Sequence, residues 1–213
     1  MYIKWIVCTV PKNKKEAFSK AQEKWVKTKE AKGFIAQTGG WNLKNLNEAC
    51  IISFWKDKES LTNFMNHIHN KIFIKNKQST SYTSISVSYF NSLLIMGGRE
   101  ISIPLAIKNG QLLRIADCDV QKNKKAHFEK VQKSIWLPSM KNTKGMLGGE
   151  FSVNDTSKLN YLVSSFWDSK INHENYSKLQ LPINQKDANI NEDLKSIQGK
   201  LILLKKSWQI IPS

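Results

Sequence analysis

An internal repeat is the feature of this sequence that most constrains its fold. The run Lys-Asn-Lys-Lys at residues 12–15, with Phe18 after it, returns 110 positions later at residues 122–125. Ser-Phe-Trp at residues 53–55 returns at residues 165–167, so a small insertion has raised the offset to 112. Matches in the same order across about 70 residues indicate a tandem duplication. The chain is therefore expected to contain two copies of one structural unit.

Each copy carries the same order of predicted elements. Strands are indicated by apolar, β-branched runs, and helices by apolar positions that recur at helical spacing. In the first copy the predicted elements are strand 3–10, helix 14–31, strands 34–41 and 49–55, helix 57–72 and strand 82–90. This β-α-β-β-α-β order is that of a ferredoxin-like unit.

The predicted fold class is α+β, with two ferredoxin-like units in tandem. Strand 51–55 carries large apolar groups on both faces, whereas the helices of one such unit cover only one face of its sheet. The sheet of the other copy would cover the second face, so we expect an α+β barrel with helices outside. The expected domains are an N-terminal unit at residues 1–91, a connection at 92–110 and a C-terminal unit at 111–213.

Composition indicates a globular protein and excludes several classes. The 213 residues are 40% hydrophobic and 23% charged, and no apolar run approaches the ~20 residues that cross a bilayer. The N-terminus lacks the pattern of a signal peptide. Cys8, Cys50 and Cys118 include no Cys-x-x-Cys pair, so neither a disulfide framework nor a zinc site is indicated. We expect a cytoplasmic protein with no membrane partner, no metal and no cofactor.

The charge of the chain raises the question of a polyanionic partner. Lysine and arginine number 33 against 17 acidic residues, for a formal net charge of +16. Only Arg99 and Arg114 are arginines, and the planar fork of arginine is the group that reads bases and clamps phosphates. The lysines accompany asparagines, which is typical of an AT-rich genome acting on solvated positions. Nucleic-acid binding through these lysines is the less favoured alternative.

Segments across both copies carry a family resemblance. They are residues 3–10, 36–41, 54–55 and 64–65 with His69, then Cys118, residues 136–138 and 145–147, and Trp208. Over most of the chain these segments resemble the uncharacterised YdbC-type proteins of Gram-positive bacteria. That family is similar to the antibiotic-biosynthesis-monooxygenase type of dimeric α+β barrel, here with both halves fused as a pseudo-dimer. The superfamily includes cofactor-free quinol-forming oxygenases, haem-degrading enzymes and members without an assigned activity.

The resemblance does not extend to the haem-degrading branch. That branch places an Asn on the first strand, a Trp in the second helix and a His ten residues after the Trp. The corresponding positions here hold Cys8 or Thr9, Phe64 and Ile74. The second copy lacks the pattern as well, so haem degradation by that arrangement is not predicted.

His69 is the candidate catalytic residue. It lies at the edge of the apolar stripe of the second helix, one turn after Met65. Its imidazole titrates near neutral pH, so it could accept a proton from a substrate or orient a substrate oxygen. The alternative is a helix-end histidine bonded to a backbone carbonyl. The matching position of the second copy is Leu181, so a single active pocket would lie in the first half.

Aromatic side chains on different strands indicate a site for a flat ligand. The candidate ligand-binding residues are Trp5, Gln37, Trp41, Trp55 and Phe64. The alternative is that the aromatic residues fill the core. A bulge at Gly39 and Gly40 would reverse the alternation of the strand, which leaves open the face on which Gln37 and Trp41 lie.

The leading functional hypothesis is a cofactor-independent, monooxygenase-like enzyme that acts on a small aromatic or apolar molecule. The substrate itself would supply the electrons to oxygen, through an anion that His69 helps to form. The alternative is a non-catalytic small-ligand-binding or stress-related barrel protein. The substrate, the use of oxygen and a further dimerisation of the pseudo-dimer stay open at this stage.

Overall fold

The computed structural model describes residues 1–212. The chain divides into two compact units, the first made of residues 1–89 and 202–212 and the second of residues 90–201. Each unit combines an antiparallel sheet with helices in the predicted order. The prediction of an α+β chain with two duplicated ferredoxin-like units is confirmed. No helix within residues 1–212 is long and apolar enough to span a membrane.

The first unit is built on a three-stranded antiparallel core. Its elements are β1 (Tyr2–Thr9), α1 (Lys15–Glu23), β2 (Phe34–Asn42), β3 (Glu48–Trp55), α2 (Lys58–Phe64), α3 (Asn70–Asn76) and the start of β4 (Ser84–Met96). Strand β3 pairs with β1 on one side and with β2 on the other. A π-helical turn, Met65–His69, joins α2 to α3.

The second unit repeats this arrangement. Its elements are α4 (Ile103–Asn109), β5 (Leu112–Val120), α5 (Lys125–Val131), α6 (Leu137–Lys141), β6 (Met146–Asn154), β7 (Asn160–Trp167), α7 (Lys170–Asn175), α8 (Leu181–Asp187) and β8 (Leu194–Leu204). Strand β7 pairs with β5 and β6, as β3 does with β1 and β2. The π-helical turn also returns, at Tyr176–Gln180.

The unit boundaries differ from the predicted domains 1–91, 92–110 and 111–213. Strand β4 continues past the first unit, and its residues 90–96 pair with β6 of the second unit. The last residues of β8, 202–204, pair with β2 and so belong to the first unit. The predicted connection therefore holds the end of β4 and helix α4, because hydrogen bonding extends the strand beyond the point where its apolar alternation weakens.

The two predicted helices of the first copy are also interrupted. The helix expected at residues 14–31 is α1 followed by a 3₁₀ segment, Lys24–Glu30. The helix expected at residues 57–72 begins after the Asp57 cap, whose carboxylate accepts a hydrogen bond from the Ser60 backbone N–H at 2.8 Å. It then continues through the π-helical turn to the end of α3, beyond its predicted end.

The helices of the first unit pack on one face of its sheet. One apolar cluster joins Trp55 of β3 to Leu61 and Phe64 of α2. A second cluster joins Cys8 of β1 to Phe18 of α1. Because side chains alternate along a strand, the sheet residues that face the helices are every second one. This alternation determines which polar side chains reach the space under the helices.

Candidate functional site

The first unit contains a cavity of about 240 Å³ between its sheet and its helices. The sheet contributes every second residue of β1, namely Lys4, Ile6 and Cys8, together with Gln37 of β2 and Ser53 of β3. The helices contribute mainly aromatic and apolar side chains. A smaller cavity of about 70 Å³ lies in the second unit. The first unit therefore offers much the larger space for a ligand.

The wall of the larger cavity is aromatic. The ring centroids of Trp55 and Phe64 are 4.9 Å apart, and the two rings are tilted by 36°. Trp25 belongs to the same apolar cluster, and its Nε1 donates a hydrogen bond to Gln78 Oε1 at 2.7 Å. Gln78 in turn donates to Gln22 Oε1 at 3.0 Å. These hydrogen bonds hold the indole in place, so the cavity presents flat apolar surfaces with a few oriented polar groups.

His69 projects into this cavity from the end of the π-helical turn. Its ring lies 5.1 Å from the Trp25 ring and 5.9 Å from the Phe64 ring, and it stacks on Phe73 at 5.7 Å. Its Nδ1 is 3.1 Å from Asn70 Oδ1. In the tautomer that donates from Nδ1 to Asn70, the lone pair is on Nε2, which is then the proton-accepting atom.

The surroundings of His69 favour its neutral form. Burial lowers the pKa of the imidazole below its ordinary value of 6.5, and this outweighs the opposing hydrogen bond with Asn70. The positive charge of Lys4 lowers the pKa further. A neutral imidazole at neutral pH can accept a proton, which is the chemical requirement of a general base.

The six candidate residues do not all line the cavity. Gln37, Trp55, Phe64 and His69 do. The expectation for Trp5 is corrected, because the side chains of β1 that face the cavity are those of Lys4, Ile6 and Cys8. Trp5 is therefore on the opposite face of the sheet, where it is only 4% exposed.

Trp41 is the second correction. It shares a face of β2 with Gln37 but lies four residues further along the strand, outside the lining. Its ring packs against Phe18 at 6.0 Å and Trp208 at 5.6 Å between centroids. The Lys15 ammonium lies 4.6 Å above the same ring. Trp41 is thus part of the neighbouring aromatic cluster, with a cation–π contact on its outer side.

The irregularity of β2 is not at its glycine pair. The register shift falls between Phe34 and Ala36, so the alternation from Gln37 onwards is regular. The glycines instead permit close backbone approach. A Cβ on Gly39 would meet the Cys50 carbonyl oxygen at 2.5 Å, and a Cβ on Gly40 would collide with the Leu203 carbonyl oxygen. Because the alternation of β2 is regular from Gln37 onwards, the glycine pair does not turn Gln37 away, and its side chain faces the cavity.

Lys4 is the cavity residue that sequence reasoning missed. It is 7% exposed, and its Nζ lies 3.4 Å from Met65 Sδ. Burial alone lowers the pKa of this amine from 10.5 to about 8, with no contribution from an acid. The sequence feature that could have identified Lys4 is its position in the strand. Lys4 alternates in phase with Ile6 and Cys8, so it lies on the same face of β1 as these two residues.

The other titratable groups of the cavity stay uncharged over the physiological range. Burial raises the pKa of the Cys8 thiol to about 12, and it also raises the pKa of Tyr82 and Tyr89. Within residues 1–212, no three His, Cys, Asp or Glu side chains come together as metal ligands. His69 and Lys4 are thus the two groups of the cavity that change charge near neutral pH.

Solved structures with the same fold extend over nearly the whole chain. A protein from Fusobacterium nucleatum subsp. nucleatum, provisionally named a monooxygenase, matches with a TM-score of 0.79 and 12% identity, over 99% of this chain and 94% of that one. An anthrone oxidase-like protein matches with a TM-score of 0.69 and 12% identity, over 96% and 91% of the two chains.

A third solved structure with the same fold is described as a ferredoxin-fold protein. It is an uncharacterised ferredoxin-fold protein from Listeria monocytogenes, related to antibiotic biosynthesis monooxygenases. It matches with a TM-score of 0.53 and 11% identity, over 99% of this chain and 95% of that one. At these identities the likeness concerns the fold alone, which is that of proteins related to antibiotic biosynthesis monooxygenases.

Sequence comparison is more specific for the first unit. The family model described as a domain of unknown function, DUF4937, matches residues 2–90. The uncharacterised protein YdbC of Bacillus subtilis (strain 168) is 39% identical over 93 residues, which are 42% of this chain and 77% of that protein. The matched region contains the cavity and all of its lining residues. The chain therefore belongs to the YdbC family.

Proposed function

We propose that the first unit binds a flat, predominantly apolar aromatic molecule in its cavity and oxygenates it without a cofactor. The observation that carries the proposal is the position of His69. A half-buried imidazole, with Nε2 available as acceptor, lies among the rings of Trp25, Phe64 and Phe73 in a 240 Å³ cavity. A ligand in that cavity would lie against both an aromatic wall and a base.

The chemistry required of the protein is limited to binding and proton transfer. His69 removes a proton from an acidic C–H of the substrate, and the resulting delocalised carbanion donates electrons to O₂. For a CH₂ group conjugated with a ketone, the carbon loses two hydrogens and gains one oxygen as a new C=O. The second oxygen atom leaves with those two hydrogens as water. The substrate thus supplies all the electrons, and the protein supplies the base and a dry site.

The structural neighbours support this class of reaction. One is provisionally named a monooxygenase and another an anthrone oxidase-like protein, and both share the fold over more than nine tenths of this chain. The larger cavity also lies in the unit that retains the histidine, since Leu181 stands at the matching place in the second unit.

The test is oxygen uptake with anthrone as probe, measured against the rate without protein. The His69→Ala variant is expected to lose at least about 100-fold in turnover, the usual contribution of a general base, while the dissociation constant for anthrone stays within about threefold. His67→Ala is the matched control, because His67 lies on the same helical turn but is exposed. It should retain full turnover.

The alternative class gives a different result. A protein that only sequesters the ligand would bind anthrone without consuming oxygen, and His69→Ala would then change nothing but affinity. Equal turnover in the wild type and in His69→Ala would contradict the proposed role of the imidazole. Thermal unfolding of both variants checks that each is folded.

A further inference from the structure

Three polar side chains form a row across the sheet under the cavity. In the pairing of β1 with β3, Lys4 lies opposite Ser53. In the pairing of β3 with β2, Ser53 lies opposite Gln37. All three line the cavity. Because paired strands are about 4.8 Å apart, the three side chains are immediate neighbours on one face. We call Lys4, Ser53 and Gln37 the donor row.

Each member of the donor row has a hydrogen to donate into the cavity. The Lys4 ammonium contacts Met65 Sδ, a weak acceptor, at 3.4 Å. Gln37 Nε2 is buried and has no hydrogen-bond partner among residues 1–212. Ser53 Oγ accepts a hydrogen bond from Trp55 Nε1 at 3.1 Å, so its own proton remains available. The row therefore presents three donors and one positive charge.

An uncompensated row of this kind is unfavourable in the folded protein. A buried ammonium and a buried amide N–H both lose water, and neither gains an acceptor of matching strength. No acid contributes to the pKa of Lys4. A negatively charged oxygen on a ligand would satisfy the charge and the open donors together.

The second unit has the same geometry with one member missing. Arg114 lies opposite Ser165, and Ser165 lies opposite Gly149. Trp167 Nε1 donates to Ser165 Oγ at 3.0 Å, as Trp55 does to Ser53. Gly149 therefore stands where the first unit has Gln37. Of these three residues, Arg114 lines the smaller cavity of about 70 Å³. The complete donor row and the larger cavity occur together in the first unit.

We infer that the donor row binds the ionised oxygen of a planar hydroxyaromatic or enolic ligand. This deepens the proposed function and rests on it. A single ammonium flanked by two neutral donors suits one oxygen of a delocalised monoanion, whereas phosphates and bidentate carboxylates favour the fork of arginine. When His69 takes a proton from a carbon conjugated with a carbonyl, the negative charge moves to the carbonyl oxygen. The donor row holds that oxygen, and the proton stays on His69.

The experiment compares two probes that differ in one ionisable group. 2-Hydroxy-1,4-naphthoquinone is an acidic enol that is ionised at neutral pH, and its 2-methoxy analogue is neutral. Titration calorimetry at pH 7 should show at least about tenfold tighter binding of the hydroxy probe, as expected for a hydrogen bond to a charged group. Lys4→Met should abolish that preference and leave the affinity for the methoxy probe within about twofold.

Arg114→Met is the matched control, because Arg114 occupies the position of Lys4 in the second unit. It should leave binding of both probes unchanged. A measurement on the wild type does not depend on the folding of any variant. The visible absorbance of the bound hydroxy probe, followed with pH, should show its pKa lowered relative to the free probe.

Each contrary result is informative. Equal binding of the two probes by the wild type, or an unshifted pKa of the bound probe, would contradict anion binding by the donor row. The proposal that the cavity binds aromatic molecules would be unaffected. 2-Naphthoate is an aromatic carboxylate and tests the other kind of anion. If its binding depends on Lys4 while binding of the hydroxy probe does not, the inference that the ligand is an enolate is wrong. Failure of both naphthoquinones to bind, together with failure of anthrone, overturns the proposed function itself.

Discussion

Lys4 lies in an environment that lysine side chains rarely occupy. A lysine side chain commonly extends its ammonium to water along an apolar surface. Here the side chain is 7% exposed and ends beside a thioether inside an aromatic cavity. A buried ammonium without an acid partner lowers the stability of the folded protein unless a bound ligand supplies the opposite charge. Such a loss of stability in exchange for function is common at binding sites.

Replacing this lysine is therefore expected to stabilise the protein without ligand. The folded pKa of Lys4 is about 8 against 10.5 when unfolded, so the unfolded chain holds more protons between these values. The wild type should gain stability as pH rises through that window, and below it the buried ammonium costs up to about 3 kcal/mol. Lys4→Met should raise the free energy of unfolding at pH 7 by about 1–3 kcal/mol.

Urea unfolding at pH 7 and pH 10 measures this effect. The gain from Lys4→Met should be smaller at pH 10, where the wild-type amine is largely neutral in the folded state. Lys71→Met, at an exposed position of α3, is the control and should stay within about 0.5 kcal/mol of the wild type. A lower free energy of unfolding for Lys4→Met at pH 7 would contradict the account of Lys4 as an uncompensated buried cation.

The two titrating groups of the cavity also predict the pH dependence of kcat/KM. His69 must be neutral to accept a proton, so activity should fall as pH drops through its pKa, which lies below 6.5. Lys4 must be charged to hold the anion, so activity should fall as pH rises above about 8. The resulting bell-shaped profile of kcat/KM reports the pKa values of His69 and Lys4 in the protein without bound substrate.

The pH profiles of kcat/KM for two variants show which residue causes each limb of the bell-shaped curve. Lys4→Met should remove the alkaline limb, and the low residual activity of His69→Ala should lack the acid limb. Cys8, Tyr82 and Tyr89 have pKa values raised by burial and do not titrate in this range. An acid limb centred above 6.5 would contradict the role of His69.

At the scale of elements, the pairing of β2 with its neighbours decides where the cavity residues lie. The glycine pair of β2 lets backbones approach closely, since a Cβ on Gly40 would collide with the carbonyl oxygen of Leu203 in β8. The register shift near Ala36 precedes Gln37, so its amide faces the helices. One further irregularity in β2 would turn Gln37 to the other face.

Gly40→Ala should therefore disrupt this pairing. Backbone atoms cannot move aside as a flexible side chain can, so we expect a loss of about 1–3 kcal/mol in the free energy of unfolding. Gly97→Ala is the matched control, because its Cβ would meet only the Lys141 side chain, at 3.7 Å or more. Thermal or urea unfolding of both variants measures the difference. Equal stability of the two would contradict the close approach at Gly40.

At the scale of the whole molecule, duplication explains what the two units share and where they differ. Both have a cation opposite a serine, with a tryptophan N–H bonded to that serine. Both have a π-helical turn at the same place, so this turn belongs to the fold and is not peculiar to His69. The histidine, the glutamine and the larger cavity occur in the first unit.

The amino-acid sequence by itself determined the duplication, the order of strands and helices and the α+β class. These properties depend on local patterns, which repeat in the two halves and need no knowledge of register. It also identified four residues of the cavity wall, namely Gln37, Trp55, Phe64 and His69.

Only the tertiary structure decided which side chains share the cavity. The alternation of β1 excludes Trp5 and admits Lys4, and packing against Phe18 and Trp208 removes Trp41 from the wall. The donor row exists because antiparallel register places three residues from distant parts of the chain side by side. Register and burial arise from the pairing of whole strands, so no local pattern of residues contains them.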